Sequence, residues 1–510
     1  MKRYLPAFAF LLLFSLAPRP AAAEAVLTLN DPSGGEAVND QPASVTYGYT
    51  THAAWIGGAS QAGPFRLYYA AFNSASDFTQ LTLTRGSAGF FRVPPMALVD
   101  NTGLGDAVAD VRRPWIGISG GNRVVVLFQG KGTASDTAWG LYRATFLVVN
   151  NAVVGDVSVK RVLGGPGDGD ATFPSAVLYG TDGWLRTAYS FLPDRSDPAG
   201  RRQVRYARVG IENNALSAAS PVVLSAAGDL VTAESRGYLP LPSVGVDPSG
   251  RAHVAWVSED PASGTSGVWY AMVALTLGAD NVQIAATNVI GRNRSWSRPH
   301  ALPYEDTRVY VSASDNAFSP LAGSVGVAQL DPNEAPRDGR PVNLGESRKF
   351  LRQPPGVEIL PSSFDLFSPT ATVDAGGRIF LVGSGSATSP LTYLVANPLT
   401  LPSSMVTTPT PAAFGPVGFA ATLPGEYSFP AVAFYSDRAF LFWSGYDNVS
   451  ADRRNVNVTS VFTTKQWEKV DESGCSASGG ASDASLLLLA LLFPAVRRIA
   501  RRSRTEGGEA

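Results

Sequence analysis

Leu241-Pro-Ser-Val-Gly-Val-Asp-Pro-Ser-Gly-Arg-Ala-His-Val-Ala-Trp256, followed by Gly267-Val-Trp-Tyr-Ala-Met-Val273, reads as strand, tight turn, strand, loop, strand. Apolar and polar residues alternate from Ser243 to Asp247 and from His253 to Val257, the period of a half-buried strand. Asp247-Pro-Ser-Gly250 places a glycine where a hairpin corner needs left-handed backbone.

The same module recurs along the body. Gln41-Pro-Ala-Ser-Val45 leads to His52-Ala-Ala-Trp55 and Phe65–Phe72; Arg113-Pro-Trp-Ile-Gly117 leads to Val124–Phe128 and Trp139–Phe146. Phe173-Pro-Ser-Ala-Val177, Arg298-Pro-His-Ala301, Ser368-Pro-Thr-Ala-Thr-Val373 and Phe429-Pro-Ala-Val-Ala-Phe434 open four more. The leading prolines are Pro42, Pro114, Pro174, Pro242, Pro299, Pro369 and Pro430, a mean step of about 65 residues. Proline just before an inner strand costs no ladder hydrogen bond.

Each module shows three strands, and Val157–Val162 and Val282–Ala285 are candidates for a fourth. Repeated four-stranded modules predict a β-propeller, because one module cannot bury both faces alone. Val26-Leu-Thr-Leu29 is expected to pair as the outer strand of the last module, joining the two ends of the ring. Two β-sandwiches would also give short strands with frequent turns, but no low-complexity linker divides the body. The fold class is therefore all-β, a seven-bladed β-propeller over residues 24–470.

The two ends carry targeting patterns. Lys2 and Arg3 precede an uncharged apolar stretch, Tyr4–Ala17, and Ala21-Ala-Ala23 supplies small residues for cleavage, so residues 1–23 read as a signal peptide. At the other end, residues 471–485 form a Gly/Ser/Ala linker around Cys475. Residues 486–504 hold the apolar run Leu486–Val496 and the cluster Arg497, Arg498, Arg501, Arg502 and Arg504; residues 505–510 form a cytoplasmic tail. The apolar run is short beside the roughly 20 residues of a standard spanning helix, and the arginines favour a cytoplasmic end. These features predict a C-terminal membrane helix and a short transmembrane segment.

The order Gly474-Cys475-Ser476, Asp483-Ala-Ser-Leu486, then arginines resembles the JDVT-CTERM and MYXO-CTERM bacterial sorting signals. Ala484 departs from the Val or Pro more usual at that place in the JDVT-CTERM form. The resemblance implies an intramembrane sorting endopeptidase as partner, with processing or lipidation at Cys475. It implies export to a bacterial cell envelope, membrane-anchored or at the cell surface, and says nothing of the body's activity. The body's pattern, Pro-x-Val-x-Val-Asp-x-x-Gly-x-x-His-Val-Ala-Trp, resembles the repeats of sialidase-like exported β-propellers. The sialidase Asp-box is not complete, Thr181-Asp-Gly-Trp184 being a fragment of it.

Composition excludes some classes. Cys475 is the single cysteine, so the body folds without a disulfide. With the basic ends set aside the body is mildly acidic, against a nucleic-acid partner. His52, His253 and His300 are the only histidines, and no spacing makes them a ligand set, so no metal and no cofactor is expected. Gly165-Pro-Gly-Asp-Gly-Asp170 is an incomplete calcium loop. His52 and His253 hold equivalent positions, which predicts a shared packing role.

Candidate binding residues follow from the leading prolines. Arg113 and Arg298 precede inner strands beside the expected channel, with Trp115 and His300 nearby. Trp55, Trp256, Trp269 and Trp443 recur at strand positions and read as core; Trp115, Trp184 and Trp296 lie off that pattern and are candidate sugar platforms. Glu259, Asp260, Glu305 and Asp306 are acidic loop residues that no spacing brings together. No Gly-x-Ser-x-Gly elbow sits in a strand-to-helix setting. No catalytic residue is assigned. The leading reading is a non-catalytic, exported propeller that binds a glycan, peptide or envelope partner. The alternatives are a sialidase-like glycoside hydrolase or lyase, and a structural envelope scaffold.

Overall fold

The computed structural model describes residues 27–30, 35–75, 92–97, 108–149, 152–180, 182–195, 202–212, 221–225, 241–260, 265–276, 278–294, 296–304, 306, 308–315, 325–333, 342–343, 352–353, 356–357, 367–373, 379–384, 391–396, 430–436, 438–447 and 450–462. The chain divides into two compact units, Met1–Val461 and Phe462–Ala510. The signal peptide, Cys475 and the run Leu486–Val496 lie outside the described residues. Among the described residues no helix is long and apolar enough to cross a membrane.

The body is nearly all β. After β1 (Leu27–Thr28), the first sheet runs β2 (Val38–Tyr47), β3 (Thr50–Gly58), β4 (Arg66–Asn73) and β5 (Arg92–Ala97). The next is β6 (Asp110–Ser119), β7 (Arg123–Lys131), β8 (Gly140–Val149) and β9 (Ala152–Gly164). It is followed by β10 (Asp170–Leu178), β11 (Trp184–Leu192), β12 (Gln203–Gly210) and β13 (Val222–Val223). Then come β14 (Ser243–Val246), β15 (Ala252–Asp260), β16 (Thr265–Thr276) and β17 (Ala279–Arg294), and after them β18 (Trp296–Tyr304), β19 (Arg308–Asp315), β20 (Val325–Asp331) and β21 (Val342–Asn343). A ribbon of β22 (Arg352–Gln353) and β23 (Gly356–Val357) precedes a sheet of β24 (Phe367–Val373), β25 (Ile379–Ser384) and β26 (Leu391–Ala396). The last strands are β27 (Ala431–Tyr435), β28 (Arg438–Asp447) and β29 (Ser450–Phe462). The candidate fourth strands at Val157 and Val282 are real, within β9 and β17.

Strands that follow one another within each run pair as an antiparallel meander; β2 also meets β29 in parallel at Val38 and Arg454, which joins the first and last runs into one eight-stranded sheet. The lead strands β2, β6, β10, β14, β18, β24 and β27 touch in cyclic order, β27 returning to β2. This is a β-propeller-like arrangement. The expected end-to-end pairing is present: Leu27 lies opposite Val458 and Thr28 opposite Asn457. Asn30 reinforces it twice, its amide donating to Asn455 Oδ1 at 2.9 Å and its Oδ1 accepting the Val456 N–H at 2.9 Å.

Between sheets the core follows the two-residue period of the second strands. Ala54 and Ile56 face the sheet led by β6 and pack with Val124, Val126 and Phe128. Ala53 and Trp55, pointing the other way, pack with Phe440, Phe442 and Val458. Trp256 and Val254 face Tyr206, while Ala255 and Val257 face Val309 and Val311. Strands buried on both faces read as continuous apolar runs, which is why these segments stand out in the sequence.

Pro242 and Pro430 directly precede β14 and β27, as expected, and the other five leading prolines sit differently. Pro42, Pro114, Pro174, Pro299 and Pro369 lie inside lead strands, not just before them. At each, the lead strand advances three residues while its partner advances two, as where Arg112 faces Gln129 and Trp115 faces Leu127. That extra residue is a β-bulge, and a bulge is one of the places where a sheet accepts a residue without an N–H.

Candidate functional site

The bulges hold the candidate residues Arg113 and Arg298. The residue before proline is left-handed in four of them: Gln41 (φ 54°), Arg113 (φ 51°), Phe173 (φ 52°) and Arg298 (φ 47°). Residues with a β-carbon avoid this region at a cost of roughly 1–2 kcal/mol each. Strain of this kind persists only where the surroundings impose it.

Here the surroundings are polar links between neighbouring sheets. Arg113 N–H, taken out of the ladder, donates to Gln41 Oε1 of the preceding sheet at 2.7 Å. Phe173 N–H donates in the same way to Gln129 Oε1 at 2.9 Å. The Arg113 guanidinium carbon lies 5.5 Å from the Phe173 ring centroid. Three successive sheets are thus tied through their bulges. Asp40 adjoins the row, accepting the Gln41 N–H at 2.7 Å and pairing with Arg454 at 3.1 Å.

Trp115 and His300 do not share the setting of Arg113 and Arg298. They follow their prolines directly, the place occupied by Ser175 and Ser243 in the intervening sheets. Those serines accept the N–H of Val244 and of Ala301 across the sheet boundary, at 3.1 Å and 3.2 Å. The position is a spacer between sheets. Trp115 fills it as a half-buried side chain against the cluster that includes Leu185 and Tyr189. A β-carbon at Gly117 would collide with its ring and crowd Leu178, so the glycine makes room for the tryptophan. His300 is half-buried opposite Ser312.

Of the other tryptophans, Trp296 is buried between the sheets led by β14 and β18 and is core, not a platform. Trp184 is half-buried with the Arg208 guanidinium carbon 5.4 Å from its ring. Trp55, Trp256 and Trp443 are buried as expected, and Trp269 packs partly buried. Asp170 of the incomplete calcium loop is engaged, accepting the Trp139 N–H at 2.6 Å and pairing with Arg202 at 3.0 Å. Among the described residues no cluster of His, Cys, Asp and Glu could hold a metal ion. Glu305 lies outside the described residues; Asp306 is exposed and accepts the Ser249 hydroxyl at 2.5 Å.

The equivalent histidines do share a role. His52 Nδ1 meets the Tyr69 hydroxyl at 2.7 Å, and His253 Nδ1 meets the Tyr270 hydroxyl at 2.7 Å. Burial pushes the His52 pKa down to about 4. Burial also lowers that of His253, whose Nε2 lies 3.0 Å from Asp247 Oδ2. Both act as packed, hydrogen-bonded core groups.

No protein-family model matches the chain, and no curated protein matches it. Among solved structures, a Trypanosoma rangeli sialidase in complex with the inhibitor DANA is 10% identical with a TM-score of 0.41. That match covers 87% of this chain, which spans only 59% of the sialidase. A polysaccharide lyase is 12% identical with a TM-score of 0.42, over 85% of this chain and 92% of the lyase. An α-L-arabinanase from Penicillium chrysogenum is 10% identical with a TM-score of 0.38, over 69% of this chain and 93% of the enzyme. These neighbours are glycoside hydrolases and a lyase, the class named in the enzymatic alternative, not in the binding reading. At such distances they transfer no activity to this chain.

Proposed function

We propose that this protein is an exported, envelope-anchored, seven-bladed β-propeller that binds a glycan through the bulge row of its lead strands. The ring of seven is supported by the cyclic contacts of the lead strands and by the β1–β29 pairing. Export and anchoring rest on residues 1–23, Cys475 and the run Leu486–Val496.

The observation that carries the binding reading is the pair of arginines held at strained bulges, Arg113 and Arg298. Bulges re-aim side chains and gather beside binding and active sites. An arginine fork suits carboxylate, sulfate or phosphate groups on a sugar. Glycan-array binding by the mature body tests this: a signal lost in Arg113→Ala and Arg298→Ala is expected, and a signal indifferent to both refutes it.

The second reading is a sialidase-like hydrolase or lyase, for which Asp40 supplies a carboxylate in the same row. Glycoside hydrolysis ordinarily needs two carboxyl groups flanking the bond, and Asp40 is already engaged by Arg454 and the Gln41 N–H. Binding without product release therefore ranks first. Chromatography of the bound glycan after prolonged incubation separates the two; Arg113-dependent cleavage products would install the enzyme. Mass spectrometry of the mature chain tests the tail, with truncation or added lipid at Cys475 expected and an intact Ala510 terminus with unmodified Cys475 as the refuting result.

A further inference from the structure

One position recurs deep inside the sheets. Opposite the residue that follows each leading proline, the second strand places Ala54, Leu127, Ala188 and Ala255. Opposite those, the third strand places Tyr69, Arg143, Tyr206 and Tyr270. Three sheets thus bury a tyrosine where the sheet led by β6 buries an arginine. The hydroxyls of Tyr69 and Tyr270 meet His52 and His253, each two residues before the facing alanine. The matching residue of β7 is Val125, which has no polar side-chain atom for Arg143 to meet.

Arg143 is 1% exposed. Its guanidinium donates to the Gly210 carbonyl of β12, across the seam with the next sheet, and its Nε is buried without an acceptor. The apolar core at this seam holds Val125, Leu141, Val209 and Ile211. The other buried arginines among the described residues each hold an aspartate: Arg186 with Asp182, Arg202 with Asp170, Arg208 with Asp280 and Arg454 with Asp40. Arg143 holds none. Arg123, half-buried at the start of β7, shares its face of the sheet with Val125 between them. Among the described residues no carboxylate pairs with Arg123 either. Burial pulls the Arg143 pKa down to about 10; the like charge of Arg123 adds to the fall, and exposed Glu212 opposes it. An uncompensated buried charge is strongly unfavourable, and a buried N–H without a protein acceptor calls for an ion or a water as its partner.

From this arrangement we infer that Arg143 and Arg123 form an oxyanion site at the seam between the sheets led by β6 and β10. A bound anion supplies there the counter-charge that aspartate supplies to the other buried arginines. Two guanidinium groups without a paired carboxylate favour a doubly charged group, sulfate, phosphate or a phosphate monoester, over a single carboxylate. Half-buried Arg123 marks the end of the seam from which the anion enters. The site is separate from the bulge row and rests on the fold alone.

Calorimetric titration of the mature body with inorganic phosphate, inorganic sulfate and glucose 6-phosphate, at fixed ionic strength, tests the site. Binding of at least one is expected, weakened about tenfold or more in Arg143→Met and less strongly in Arg123→Gln. Tighter binding of the sugar ester assigns a phosphorylated ligand; tighter binding of the free ions assigns an inorganic one. Arg143→Met is expected to melt at or above the parent temperature without added anion, because it replaces an unpaired buried charge by an apolar chain of similar length. Should that variant not fold, Arg123→Gln decides, and undiminished binding in it overturns the site. Silence of all three ligands, or equal binding by the parent and Arg143→Met, also overturns it and leaves Nε to a buried water. Arg113→Ala must leave this binding intact, so failure at the bulge row and failure here are separately visible.

Discussion

The second strands and the lead strands of these sheets are built to opposite rules. Strands β3, β7, β11, β15 and β19 pair with their outer neighbours without a register break. They carry residues such as Trp55, Val125 and Trp256 that are fully buried. The lead strands β2, β6, β10, β18 and β24 are broken at a proline. In four of them the residue before it is forced into left-handed backbone. The regular, two-face-buried strands supply the stability that lets their neighbours hold strain. The fold thus rests on the second strands, and the candidate chemistry on the lead strands.

That contrast breaks most readily on the second strands. Trp256→Ala empties the contact between the sheets led by β10 and β14 and is expected to cost about 3–5 kcal/mol, read as a drop in the urea midpoint. Trp115→Ala, on a lead strand and half-buried, is expected to cost less than half of that; equal losses would erase the distinction.

Acid probes the same strands through His52. The unfolded histidine takes a proton below its ordinary pKa of 6.5, and the buried one not until about 4. Stability from this site is therefore full above about pH 6.5 and falls as pH drops toward 4. The loss is roughly 3 kcal/mol at most, taking 1.36 kcal/mol per unit. Urea midpoints at pH 4.5 and 7.5 measure it, and His52→Gln should reduce the difference, leaving the share of His253, whose pKa burial also lowers.

Asn30→Ala removes both of its hydrogen bonds to β29 and is expected to cost about 1–3 kcal/mol, seen as faster hydrogen exchange at Val456 and Val458. The smallest effect belongs to the bulge itself. Asn tolerates left-handed backbone better than most residues, so Arg298→Asn should keep or raise stability by up to about 1 kcal/mol while weakening ligand binding. Marked destabilisation by that variant would move Arg298 from the binding set into the frame.

Much of the frame was legible because its chemistry is local. The Asp247-Pro-Ser-Gly250 corner forms as read, with the Gly250 N–H bonding the Asp247 carbonyl at 2.9 Å and Gly250 at φ 82°. The pairing of Leu27 and Thr28 with β29 followed from a strand-like segment standing ahead of the first module.

The bulges were not legible. Proline read as a mark of the strand's start, because alternation on either side of Pro114 or Pro299 looks continuous. In an unbroken strand Arg113 and Trp115, two apart, would share a face. One inserted residue parts them, leaving Arg113 at the bulge and Trp115 between sheets. Arg298 and His300 part for the same reason. Gln41 and Phe173, which complete the bulge row, gave no signal beyond preceding a repeat proline.

The most direct test is glycan affinity of the mature body carrying Arg113→Ala and Arg298→Ala together, measured beside the parent by calorimetric titration with the strongest array glycan. The lead-strand bulges as binding site predict at least a tenfold loss of affinity at an unchanged melting temperature. Undiminished affinity in the double variant would contradict the account and return both arginines to the scaffold.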